Sequence, residues 1–203
     1  MHIIEFVGMP RAGKTTQLNL LKSCLRNHGH TVEVIDDRVR ASQVAAPFTN
    51  SLAYVMSFAT TALNERHRHK DIDFLLIDRG FNDVRVWADF YAQIGNITAR
   101  EKDGLTYIFD RFAQQVTLTL NFQVPVEKSI KRHLRIGNTI TADDLIMNEG
   151  NLRILKHAYE RNGTFLHEEV TIDGCKSVYA IQATVCKAIM EKGISSTVGR
   201  SGR

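Results

Sequence analysis

Two hydrophobic periods alternate along the chain. Residues 2–7 form a short, mostly apolar run with the length and character of a buried strand. Over 14–28, Leu18, Leu21 and Leu25 recur at spacings of three and four, which places them on one face of a helix. Gly29 follows where a left-handed residue commonly ends a helix. Residues 31–35 predict a second strand, running into Asp36-Asp37-Arg38, then a loop containing Pro47 and a long helix over 51–69. A third apolar strand over 72–77 ends at Asp78-Arg79-Gly80, and helices are expected over 82–93 and 100–114. Residues 116–124 predict a fourth strand, which passes through Pro125 into a helix bearing Lys131, Arg132 and Arg135. A helix over 148–161, a strand over 170–173 and a helix over 178–192 complete the series. Strand and helix in strict alternation are the pattern of an α/β protein, a parallel sheet joined by crossover helices.

Composition narrows this picture. A chain of 203 residues suits one domain, taken as residues 1–192, with the Ser/Gly/Arg-rich residues 193–203 as a flexible tail. With 43% hydrophobic and 24% charged residues, the disordered and fibrous classes drop out. No apolar run approaches the roughly 20 residues that span a bilayer, so no membrane association is expected. The N-terminus enters a strand directly, unlike a secretory signal. Cys24, Cys175 and Cys186 share no metal-ligand spacing and read as reduced thiols of a cytoplasmic protein. The net charge of +4 comes without an aromatic-interleaved basic patch, so no nucleic-acid partner is expected. The basic block at 66–70 reads as a solvated helix end.

One motif changes the reading from fold to chemistry. Gly8-Met9-Pro10-Arg11-Ala12-Gly13-Lys14-Thr15 matches G-x-x-x-x-G-K-[ST] at every fixed position, between an expected strand and an expected helix. Glycines at those places let backbone N–H groups curl around a phosphate, and the helix N-terminus adds its positive dipole end. This is a P-loop, and Thr16 continues the same cofactor-binding stretch. Lys14 is expected to reach the β- and γ-phosphates of ATP, and the Thr15 hydroxyl to hold Mg²⁺. Arg11, inside the loop, reads as an arginine that stabilises charge on the transferred phosphoryl group, against the alternative of a plain surface arginine. Asp78 and Arg79 fall at the carboxyl end of a strand, where open α/β sheets bind ligands. Asp78 is expected to order Mg²⁺ or to cap the next helix, and Arg79 to grip an acceptor phosphate or hydroxyl. Asp36, with Asp37 beside it, is the candidate to orient or deprotonate the acceptor hydroxyl, or is turn chemistry alone. Arg132 is a candidate to stack on adenine and Arg135 to close over the phosphates; the alternative is a solvent-facing basic helix.

Four segments carry a family resemblance: GMPRAGKTTQ at 8–17, FLLIDRG at 74–80, LNFQVPVEKSIKRHLR at 120–135 and LRILKHAYER at 152–161. In order and spacing they resemble the thymidylate-kinase branch of the nucleoside and nucleotide kinases. VTIDG at 170–174 resembles that family's final strand and the turn beside the adenine. The resemblance implies a three-layer P-loop fold with a five-stranded parallel sheet and a short helical lid. It also implies ATP as donor, Mg²⁺, and a small nucleoside-like or nucleotide-like acceptor; a homodimer is compatible with it. Arg11 falls where some thymidylate kinases keep a catalytic arginine.

The departures lie on the acceptor side. Pro10 stands where the family commonly has an acidic residue, and Asp36-Asp37-Arg38-Val39 replaces the Arg-Glu-Pro-Gly type loop. Ala62 aligns with a base-reading arginine, and Gly80 replaces a tyrosine. These changes speak against thymidine monophosphate as the acceptor. The reading that follows is an ATP-dependent kinase of a nucleoside or nucleotide. Its alternatives are a small-metabolite or antibiotic kinase on the same fold and a regulatory ATP-binding module.

Overall fold

In a computed structural model of the chain, the described residues are 1–35, 72–137, 139, 145–161 and 168–192. Asp36 and Asp37, the expected helix over 51–69 with Ala62, the basic block at 66–70 and the tail at 193–203 lie outside them. Strand β1 (His2–Gly8) leads into helix α1 (Lys14–Asn27), and β2 is Val32–Ile35. Strand β3 (Phe74–Asp78) is followed by α2 (Phe81–Gln93) and α3 (Ala99–Ala113). Then come β4 (Leu118–Gln123), α4 (Val126–Arg135), α5 (Glu149–Arg161), β5 (Glu169–Asp173) and α6 (Val178–Glu191). Each expected element within the described residues is present, with ends moved by at most two residues.

The five strands form one parallel sheet in the order β2-β3-β1-β4-β5. Side chains alternate across it, as the pleat requires. Ile4, Phe6, Phe74, Leu76, Leu118 and Leu120 join Leu18 and Leu21 of α1 and Ile181 and Val185 of α6 in one core. Ile3, Leu75 and Ile77 pack on Phe81 and Val84 of α2 and Phe109 of α3 in another. Both faces are therefore covered, which is why the strands read as continuous apolar runs. Local signals agree with this frame. Thr98 and Glu101 form a reciprocal capping box at the start of α3, and α4 begins directly after Pro125.

Register sets what meets at the carboxyl edge. In the central strand β1, Phe6 pairs with Asp78 of β3 and Gly8 with Phe122 of β4. The loop that leaves β1 therefore begins beside the end of β3. Among the described residues, no helix is long and apolar enough to cross a membrane, and the three cysteines are free thiols.

Candidate active site

The loop after β1 turns through left-handed backbone at Gly8 (φ 122), Arg11 (φ 59) and Gly13 (φ 101). Its first amide, Met9 N–H, donates to the Phe122 carbonyl at 3.0 Å, which ties the loop to β4. Lys14 is 7% exposed, and its ammonium donates to the Gly8 carbonyl at 2.8 Å and the Met9 carbonyl at 2.9 Å. The ammonium is thus held against two backbone carbonyls of the turn, at the N-terminus of α1, where the helix dipole presents its positive end.

Thr15, in the first turn of α1, donates its hydroxyl to Asp78 Oδ2 at 2.7 Å. Two residues 63 apart in sequence thus bring a hydroxyl and a carboxylate together beside the loop. Asp78 does not cap α2, so that alternative is corrected. The helix begins at Gly80 without a local side-chain cap. Its leading donors go to Glu5 of β1: Phe81 N–H at 2.5 Å, Asn82 N–H at 3.2 Å and Asn82 Nδ2 at 2.9 Å. Asn82 Nδ2 also donates to Thr119 Oγ1 at 3.0 Å.

Glu5 explains Gly80 as well. A Cβ at position 80 would lie 2.0 Å from Glu5 Oε1, so the carboxylate occupies the room a side chain would need. The sequence carries one signal of this, a lone acid inside an otherwise apolar strand. Complete burial pushes the Glu5 carboxyl up to about 7, against the lowering effect of its hydrogen bonds from Phe81 and Asn82. The folded protein therefore holds this proton more tightly than the unfolded chain, whose ordinary value is 4.5. Stability from this group is complete below pH 4.5, falls as pH rises to about 7 and is level above that. The full change is about 3 kcal/mol at 1.36 kcal/mol per unit. Urea titrations of the wild type and Glu5→Gln between pH 4.5 and 8 should diverge by this amount; parallel curves would refute it.

Arg79, also in left-handed backbone (φ 63), donates to Asp83 Oδ2 at 3.3 Å, and its guanidinium lies 4.7 Å over the Trp87 ring. Asp83 is 1% exposed and also accepts from Trp87 Nε1 at 3.0 Å and from the Tyr159 hydroxyl of α5. Burial, followed by the Asp83 charge, holds the Tyr159 hydroxyl well above its usual range. Sequence reasoning singles out Arg79 but misses Asp83, Trp87 and Tyr159. Asp83 and Trp87 follow Arg79 at helical spacings; nothing local points to Tyr159, which lies 76 residues beyond Asp83.

Helix α4 grips the loop from the β4 side. Ser129 Oγ donates to the Pro10 carbonyl at 2.7 Å, and Arg132 Nη1 to the Arg11 carbonyl at 2.9 Å. Arg132 Nη2 reaches the Gly174 carbonyl, after β5, at 2.8 Å. Arg132 is therefore not on a merely solvated basic face: its guanidinium edge joins the loop to the turn that the resemblance sets beside the adenine. Arg135, in the last turn, is exposed. Arg11 turns its guanidinium to His133, with Nε and Nη2 at 3.3 and 3.2 Å from Nδ1. Of the sequence candidates, the structure brings together the loop residues, Thr15 with Asp78, and Arg11 with Arg132. Asp36 falls outside the described residues.

No family model and no curated protein sequence matches the chain. Solved structures do. A deoxyadenosine kinase from M. mycoides with bound dCTP superposes with a TM-score of 0.69 at 13% identity, covering 93% of this chain and 99% of that one. The same enzyme with bound dATP gives 0.67 at 12% identity over the same shares. With the products dCMP and a flexible dCDP it gives 0.66 at 13%, again over 93% and 99%. The fold is thus a P-loop α/β fold that this chain shares with that deoxyadenosine kinase, with a five-stranded parallel sheet and helices on both faces. The match spans nearly the whole of that kinase chain.

Proposed function

We propose that this protein is an ATP-dependent phosphotransferase that moves the γ-phosphate to a nucleoside or nucleotide. The observation that carries the reading is the joined pair Thr15–Asp78 at the mouth of a loop with the Lys14 ammonium inside it. The fold shared with a kinase whose structures hold deoxynucleotides supports the substrate class.

Lys14 binds the β- and γ-phosphate oxygens, exchanging two backbone carbonyls for anions. Thr15 and Asp78 fit a hard divalent cation: a hydroxyl and a carboxylate, 2.7 Å apart. Mg²⁺ held there would neutralise phosphate charge, with phosphate oxygens and water supplying its other ligands. Such a site needs no cluster of three acidic or imidazole ligands, and none occurs among the described residues. Arg11 supplies positive charge to the phosphoryl in transfer, and Arg132, anchored by its edge, presents its plane to the adenine. Arg79 orients the acceptor from the end of β3, and Asp36 remains the proposed partner of the acceptor hydroxyl.

Pro10 and Gly80, where the resembled family commonly has an acidic residue and a tyrosine, favour an acceptor other than thymidine monophosphate. Nucleosides, nucleoside monophosphates and small alcohols, each incubated with Mg-ATP and followed by mass spectrometry, test the reading. A phosphorylated nucleoside or nucleotide is the expected product. Transfer to none of the panel would sink the proposal, and transfer only to a small alcohol would move it to a metabolite kinase.

A further inference from the structure

Two of the three cysteines stand on helices that pack against each other. Helix α1 carries Cys24 and α6 carries Cys186. Leu18, Leu21 and Leu25 of α1 share one core with Ile181, Val185 and Ile189 of α6. Each helix follows a strand of the one parallel sheet, so the two run side by side in the same direction. Their contact starts near the leading ends, where Gln17 Nε2 donates to the Val178 carbonyl at 2.9 Å.

That bond sets the level of everything beyond it. Cys24 lies seven residues past Gln17, and Cys186 eight past Val178. The two advances agree to within one residue's rise, about 1.5 Å, so the cysteines stand level. They also lie on the facing stripes. Gln17, Leu21 and Cys24 recur at spacings of four and three, and Val178, Gln182 and Cys186 at four and four. The meeting of the thiols shows in their chemistry. Burial, followed by the adjoining Cys24 thiol, pushes the Cys186 thiol up, against the lowering effect of Gln182, whose Nε2 donates to Cys186 Sγ at 3.4 Å. Both cysteines are partly exposed, whereas Cys175 lies on the surface after β5.

We propose that Cys24 and Cys186 are a redox-modification site, a dithiol that closes into a disulfide between α1 and α6 by exchange with a small disulfide of the glutathione class. In the first step one protein thiolate attacks a sulfur of the small disulfide, whose S–S bond breaks and releases one small thiolate. In the second, the other protein thiolate attacks the protein sulfur of the mixed disulfide. The Cys24–Cys186 bond forms and the second small thiol leaves. The protein gives up two electrons and two protons, and the small disulfide takes them as two thiols. Because the packed helices hold the pair together, the second step is intramolecular and outruns a second attack from solution. The site is remote along α1 from Lys14 and Thr15, and it does not depend on the phosphotransfer reading.

The test uses the full chain, reduced, freed of reductant and incubated with oxidised glutathione. Lys22, Arg26, Lys176 and Lys187 let trypsin place the three cysteines in separate peptides. Mass spectrometry should find the Cys24 peptide joined to the Cys186 peptide within one chain, with no glutathione on either. Cys175→Ser should bridge as the wild type does. Cys24→Ser and Cys186→Ser should each stop at a mixed disulfide on the remaining partner, with melts confirming that both are folded. The bridged wild type should melt about 5 °C or more above the reduced protein, because the bond closes a long loop of the unfolded chain.

Glutathione retained on Cys24 and Cys186, a bridge to Cys175, linkage between two chains or no loss of thiols would each overturn the proposal. A bridge that lowers Tm would do the same, since the helices would have to leave their native packing to form it. In urea-unfolded protein the same treatment should give mainly mixed disulfides; equal selectivity there would show that the packing of α1 on α6 plays no part.

Discussion

Lys14→Ala is expected to abolish phosphoryl transfer, lowering turnover by at least about 10²- to 10³-fold, the scale for losing a preorganised charge at the reacting group. The ammonium is buried to 7% exposure and aimed at the Gly8 and Met9 carbonyls. In the proposed reaction, anionic oxygens entering the same turn would release this cation, and its electrostatic contribution would go to the phosphates. In water at 4 Å a pair of unit charges is worth about 1 kcal/mol, and about 4 kcal/mol at the effective permittivity near a protein surface. Removing the charge should therefore weaken ATP binding as well as transfer. Lys14→Arg should not rescue it, because a planar fork cannot replace a compact ammonium within this turn. Calorimetric titration with a non-hydrolysable ATP analogue, alongside initial rates on the acceptor found by the panel, checks both parts. Turnover within about ten-fold of wild type in Lys14→Ala would remove the loop from the chemistry.

Gly8→Ala should be the most damaging substitution for the fold itself. The new Cβ would lie 2.2 Å from the Phe122 carbonyl oxygen and 2.6 Å from the Phe122 nitrogen, both backbone atoms of the neighbouring strand. A clash with a flexible side chain relaxes; a clash with the paired backbone of β4 requires β1 and β4 to part where the loop begins. Position 8 also has φ 122, a region that L side chains rarely adopt. Overpacking and backbone strain together imply a loss of about 3–5 kcal/mol. For a chain of this length that lowers Tm by about 10 °C or more. Calorimetric melts of wild type and Gly8→Ala test it, and a Tm change under about 3 °C would show that the strands accommodate the methyl group.

Both positions belong to the stretch of chain whose role is easiest to read from the residues alone. The motif around them is contiguous, and its meaning depends on local backbone geometry: left-handed glycines, a helix N-terminus and a lysine at its first position. The same is true of the elements. A run such as Phe74–Asp78 reads as a buried strand, and the Leu18, Leu21 and Leu25 spacing as one helix face, because period and burial are properties of neighbouring residues.

The residues around that loop are less legible. The residues alone leave Asp78 as a ligand or a cap; the structure turns it to Thr15 and gives the cap to Glu5. Gly80 stands out in the sequence only as a missing tyrosine, whereas in the fold Glu5 fills its space. Arg132 is expected on the adenine, and its edge proves to join the Arg11 and Gly174 carbonyls. No local pattern sets His133 apart, although it is adjacent to Arg132 on the same helix.

The order of residues along the chain is thus enough for an alternating α/β protein, a parallel sheet and a glycine-bearing loop after β1 with Lys14 and Thr15 at the start of α1. Each of these is written in residues adjacent or a few positions apart. Which side chains meet that loop is a matter of three-dimensional packing: Asp78 arrives from a separation of 63 residues, His133 from 122, and Asn82 reaches Glu5 across 77. Such contacts follow from strand order and register, which bring β3 and β4 to either side of β1. No short-range signal encodes which distant residue arrives there, because that depends on how the whole sheet pairs.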